Sequence, residues 1–163
     1  MPYSARLSDK RLHRLRALLT SAAIAIGAAA CSRGYEPGLG ELMSLQQLRH
    51  EKLGRAVESR NWQLAAYELD ELGEGFDDVV KYHPTHKDSP LALSDIVPKI
   101  MGQPLRTVRA AIDAKDPVAF DAAYDTLTAA CNSCHQATNF GFNVVRRSPD
   151  RTWFGNQDFS PGQ

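Results

Sequence analysis

The chain has no surplus of charge. Its 19 Lys/Arg balance 19 Asp/Glu, which argues against nucleic-acid binding, because a domain that neutralises phosphates is usually basic. Strand-like alternation and internal repeats are absent, so neither a sheet protein nor a repeat array is expected. The apolar run at residues 17–30 covers 14 positions, short of the ~20 that a membrane-spanning helix needs. No paired acids and no nucleophile–base constellation stand out, so an enzyme is the least expected class. Cysteine is scarce, with three in 163 residues. That leaves no second Cys pair to complete a zinc site. The length fits one domain.

What is present is unevenly placed. Residues 1–30 hold Arg6, Lys10, Arg11, Arg14 and Arg16 against the single acid Asp9. A basic segment followed by an apolar run and small residues has the layout of a secretory signal peptide. We therefore expect residues 1–30 to be removed and the rest to act on the periplasmic side of a bacterial membrane. Ala28-Ala29-Ala30-Cys31 resembles a lipobox, in which Cys31 would be lipidated and tether the protein to the membrane; the same residues also satisfy the ordinary A-x-A cleavage rule. Lipidation would account for the odd cysteine. Residues 31–40, rich in Gly and Pro, then read as a short tether.

Helical periodicity recurs four times after that. In residues 40–60 the stripe runs Leu39, Met43, Gln46, His50, Leu53 and Val57, broadened by Leu42, Leu45 and Leu48. Asn61 is expected to cap a second helix, with Leu64, Glu68/Leu69, Leu72, Phe76, Val79 and Val80 on its inner side. Gly73 and Gly75 weaken that helix by up to ~1 kcal/mol each. The stretch HPTHKDSP, residues 83–90, is a loop. A third helix is expected to be capped by Asp95, with Pro98 in its first turn and a kink at Pro104; Ile96, Ile100, Leu105, Val108 and Ile112 form its stripe. Asp116 caps the fourth, with Pro117 at its first position. There Phe120, Tyr124, Leu127, Cys131 and Cys134 share one face. Four such helices with short connections predict an all-α, antiparallel bundle. Up-down-up-down order would bring Met43, His83/His86 and residues 131–135 towards one end.

Residues 131–135 read CNSCH. A redox dithiol is expected beside a βαβ pattern, and a zinc site needs a fourth ligand, which His83 or His86 would have to supply. Cys-x-x-Cys-His is also the signature of c-type haem attachment. An export signal agrees with that chemistry, because covalent haem is attached outside the cytoplasm. Small globular cytochromes c carry the motif near the N-terminus; here it ends the fourth helix. In this the chain resembles the class II c-type cytochromes, namely cytochrome c prime and its low-spin relatives, over about residues 38–138. The resemblance implies a four-helix bundle at residues 41–138 carrying one covalent haem c at the end of its last helix. Cys131 and Cys134 would be the thioether anchors and His135 the proximal iron ligand. Residues 139–163 are an extension that the family pattern lacks.

The resemblance also implies a function set by the sixth iron position. In the low-spin relatives a methionine early in the first helix fills it, and Met43 matches that place; as a structural residue Met43 would simply be core. His50 is a rival on the same face, otherwise expected to be buried against Gln46 or Glu68. His83 and His86 are expected to be solvent-exposed, with propionate contact, ligation or a second metal as alternatives. In the tail, Phe140, Phe142, Trp153, Phe154 and Phe159 are expected to pack as a flap over a haem edge or to dock a partner. Arg146 and Arg147 would pair haem propionates or stay solvated. The expectation is an exported electron-transfer cytochrome acting on a redox protein, with a gas-binding protein open on its distal side as the alternative. Its other expected partners are the membrane, through Cys31, and in one assembly a second copy as a homodimer.

Overall fold

In a computed structural model, residues 35–147 and 157–161 are described. The chain divides into Met1–Glu36 and Pro37–Gln163, and the described helices belong to the second unit. The signal-peptide and lipidation expectations, and Trp153 and Phe154, lie outside the described residues. Among the described residues the secondary structure is all-helical: α1 Leu39–Glu58, α2 Trp62–Tyr82, α3 Leu93–Asp113 and α4 Pro117–Ala137. None of these helices is long and apolar enough to cross a membrane.

Two of the three connections use one device. At the end of α1, Arg60 adopts a left-handed φ of 57°. Its N–H donates to the Val57 carbonyl, and the Asn61 N–H reaches back to Ala56, satisfying carbonyls that the helix end would otherwise orphan. Asn61 then turns its side chain forward to accept from the Leu64 N–H at 3.0 Å and opens α2. Lys115, with φ 51°, and Asp116 repeat the arrangement between α3 and α4, and Asp116 accepts from the Val118 and Ala119 N–H groups. Both expected caps are made.

Contacts order the helices. Each of α1–α2, α2–α3 and α3–α4 packs extensively, and α1 meets α4 more narrowly. Gln46, Arg49 and Lys52 contact Leu72, Glu71 and Glu68 in turn, so α1 and α2 run in opposite directions. The core holds Leu53, Leu72, Val79, Met101, Val108 and Leu127, all fully buried. Each such side chain contributes roughly 1.5–3 kcal/mol of transfer free energy. Lys52 Nζ lies 2.6 Å from Glu68, whose carboxylate is buried.

The third helix departs from expectation. It begins at Leu93, where Ala92 makes no side-chain cap, and Asp95 lies inside the first turn. Pro98 and Pro104 both sit within the 21-residue helix, each depriving the carbonyl four residues earlier of its usual donor. The buried stripe is Leu93, Val97, Met101, Val108 and Ile112. Ile96 and Ile100 are only partly buried beside it, so the first half of the face is rotated by one position from the predicted one, while Val108 and Ile112 are buried as expected. On α1, Leu45 is exposed rather than apolar-facing.

Candidate functional site

One end of the helices surrounds a cavity of about 310 Å³, at the lower end of the size range for small-molecule sites. Helix α1 contributes Met43 and His50, α2 Phe76 and Val79, and α3 Val97 and Met101. Helix α4 contributes Cys131, Cys134 and His135, and the loop before α3 contributes His86. The wall is largely apolar. The stripe periodicity of α1 and α4 produces this directly: Met43 lies seven residues before His50, and Cys131 four after Leu127, on the faces that turn inward. The expected gathering of Met43, His86 and CNSCH therefore occurs. His83 does not join it; its Nε2 bonds the Pro37 carbonyl at 2.8 Å. Neither loop histidine is fully exposed, contrary to expectation. The His86 ring packs edge-on against Phe140, with centroids 5.5 Å apart.

Cys131 and Cys134 are free thiols, partly buried. Burial, reinforced by the neighbouring Cys134, pushes the Cys131 thiol up to about 12, and burial likewise raises Cys134. A reactive dithiol needs the opposite shift. Among the described residues, no three His, Cys, Asp or Glu side chains converge as a metal-binding group. These thiols thus behave as neutral, apolar-facing groups.

His135 differs. Its Nδ1 lies 2.6 Å from the Asn143 carbonyl oxygen. A carbonyl can only accept, so Nδ1 carries a proton, and in the neutral ring the lone pair is on Nε2. That is the form in which a histidine binds a metal through Nε2, with its other nitrogen held by an outer partner.

His50 is engaged at both nitrogens. Nε2 is 2.8 Å from Thr128 Oγ1, and Nδ1 is 3.1 Å from the Tyr124 hydroxyl. That hydroxyl donates to the His50 carbonyl at 2.6 Å, and the two rings stack at 4.5 Å. The expected partners, Gln46 and Glu68, are occupied elsewhere. Gln46 donates to the Leu72 carbonyl and accepts from Arg49, and Glu68 pairs with Lys52. Burial lowers the His50 pKa from 6.5 to about 4, with Arg147 adding to the shift.

Periodicity misplaced Met101, which is fully buried on the cavity wall. Its spacing of four from Val97 and eight from Leu93 was the available signal. Gly75, expected only to weaken α2, also makes room for α1: a Cβ there would displace the ends of the Gln46 and Arg49 side chains. Of the tail, Phe140, Phe142 and Val145 border the cavity, with Phe142 itself exposed. Arg147 is turned away from it and pairs with Asp121 and Asp125 on α4.

No protein-family model, curated protein or solved structure matches the chain.

Proposed function

We propose that the chain is an exported monohaem c-type cytochrome that passes electrons to a redox protein, built as an antiparallel four-helix bundle with haem attached at the end of the last helix. The observation that carries this reading is the shared wall: both thiols of CNSCH and a histidine with its Nε2 lone pair free border one apolar cavity. Haem bound there supplies a one-electron iron couple tuned by axial ligands and burial. The donor set fits it. The Cys131 and Cys134 thiols would hold the haem as two uncharged thioethers, suited to a partly buried place. His135 would offer Nε2 to the iron, with its ring held by the Asn143 carbonyl. Met43 would supply a second iron ligand, a thioether that raises the potential. His50 is set aside for that role because both of its nitrogens are bonded within the protein. Export and a lipid anchor at Cys31 belong to the same proposal.

The decisive measurement is an absorption spectrum of the reduced protein with and without CO. A low-spin spectrum indifferent to CO, together with a far-red ferric band lost in Met43→Ala, is expected. Immediate CO binding with a high-spin spectrum would instead identify an open distal side and a gas-binding protein. Covalent haem staining on a denaturing gel should vanish in Cys131→Ser/Cys134→Ser, and staining that persists defeats the attachment. Labelled palmitate should enter the wild type and not Cys31→Ser; equal incorporation removes the anchor.

A further inference from the structure

The residues that follow α4 are tied down more firmly than a tail would be. Asn139 turns the chain with a left-handed φ of 67°, the Phe140 N–H returns to the His135 carbonyl at 2.7 Å, and the Asn139 side chain donates to the Asp88 carbonyl at 3.2 Å. At the far end the tie comes from Asn132, between the two cysteines. Its Oδ1 accepts from the Val145 N–H at 2.8 Å. Its Nδ2 donates to the Val145 carbonyl at 2.9 Å and to Thr128 at 3.1 Å. One amide thus grips both backbone groups of a single residue, and the two contacts together fix which amide atom is oxygen. Asn143, whose carbonyl meets His135, lies two residues before that grip.

We propose that Asn132 is the positioning residue for His135: by clamping Val145 it holds the Asn143 carbonyl against Nδ1. This rests on the cytochrome reading. A carbonyl accepting from Nδ1–H fixes the ring orientation and makes Nε2 a stronger donor. Stronger donation favours ferric over ferrous iron and holds the reduction potential down. The pentapeptide CNSCH therefore carries its own clamp, and the post-helical segment becomes part of the iron site through its backbone. The Asn143 side chain has no share in this, because the contact is made by the main-chain oxygen.

The test is the midpoint potential of haem-loaded Asn132→Ala, together with the solvent-exchange rate of the His135 Nδ1 proton in the ferrous protein. Outer partners of metal-bound histidine typically matter by tenfold or more. We expect the ferric-to-ferrous ratio at a fixed poise to fall about tenfold, an upward shift of about 59 mV for one electron, with faster exchange of the Nδ1 proton. Asn132→Asp keeps the acceptor for the Val145 N–H and should shift the potential less; it carries the test if the alanine variant fails to accumulate. Ser133→Ala, which removes only an exposed hydroxyl bonded to the Ala129 carbonyl at 2.9 Å, should leave the potential unchanged. In protein that stains for covalent haem, an unchanged potential and exchange rate in the Asn132 variants overturn the positioning role and leave the cytochrome reading standing. A downward shift, or a shift in Ser133→Ala equal to that in Asn132→Ala, overturns it as well. Wild-type protein that never stains overturns the cytochrome reading and the clamp with it.

Discussion

Each helix has a closed half and an open half. Around Leu53, Val57, Val108, Ile112 and Leu127 the side chains meet one another and are buried to within a few per cent. Around Met43, Phe76, Val97 and Cys131 the same helical faces border the cavity instead. Periodicity does not distinguish the halves, since one stripe runs through both. What differs is the set of side chains that ends the stripe. The closed half uses branched aliphatics and two aromatic rings, Phe120 and Tyr124, stacked at 5.3 Å. The open half uses thiols, thioethers and imidazoles. His50, Tyr124 and Thr128 form the boundary, a bonded set that lets a polar floor lie over an apolar core.

The widest test of that division is truncation. Leu127→Ala in the closed half should cost about 2–5 kcal/mol in urea unfolding, whereas Met43→Ala, on a partly exposed wall, should cost under about 1 kcal/mol. Equal losses would erase the distinction between the halves.

The boundary should respond to pH. Burial keeps His50 neutral in the folded protein, with its pKa lowered from 6.5 to about 4, so between those values the unfolded chain binds the extra proton. Stability is then full above pH 6.5 and falls as pH drops towards 4, by up to about 3 kcal/mol. Unfolding at several pH values should show this slope in the wild type and a flatter one in His50→Gln; parallel slopes would show that His50 is not its source.

A smaller effect should come from Gly54→Ala. The added Cβ would lie 2.9 Å from the Tyr124 hydroxyl, which is held by its bond to His50. Displacing it should cost about 1–3 kcal/mol, and a neutral result would mean that the ring yields freely. The smallest effect concerns a turn of the closed half. Lys115 holds a left-handed φ that glycine adopts without steric cost. Lys115→Gly should therefore raise stability by about 0.5 kcal/mol, the steric relief less the entropy of the freer unfolded chain, and a lowered melting temperature would contradict that.

Much of this was legible beforehand. Asn61 and Asp116 announced two helix starts, because a cap is a local bond within three residues. The Phe120–Cys134 spacing announced which face of α4 is buried. The third helix was read less well. Its prolines suggested a later start, and packing of Leu93 and Val97 against the other helices outweighed that local signal. The partners of His50 were missed for another reason: Thr128 and Tyr124 are 78 and 74 positions away, and no spacing rule links them. The grip of Asn132 on Val145 is equally invisible, since an asparagine inside CNSCH looks like a spacer.

By itself the sequence determined the four helices, the caps at Asn61 and Asp116, most of the inward faces and the CNSCH pentapeptide, because each depends on residues within a turn or two of chain. Only the tertiary structure decided what the inward faces enclose. It bonded both His50 nitrogens away from the cavity, brought Met101 onto its wall, turned Arg147 towards Asp121 and Asp125, and laid the Asn143 carbonyl on His135. These are meetings between residues far apart in the chain or between a side chain and a backbone group. They are settled by how four helices pack, since hydrogen bonds and volume are satisfied over the whole assembly at once.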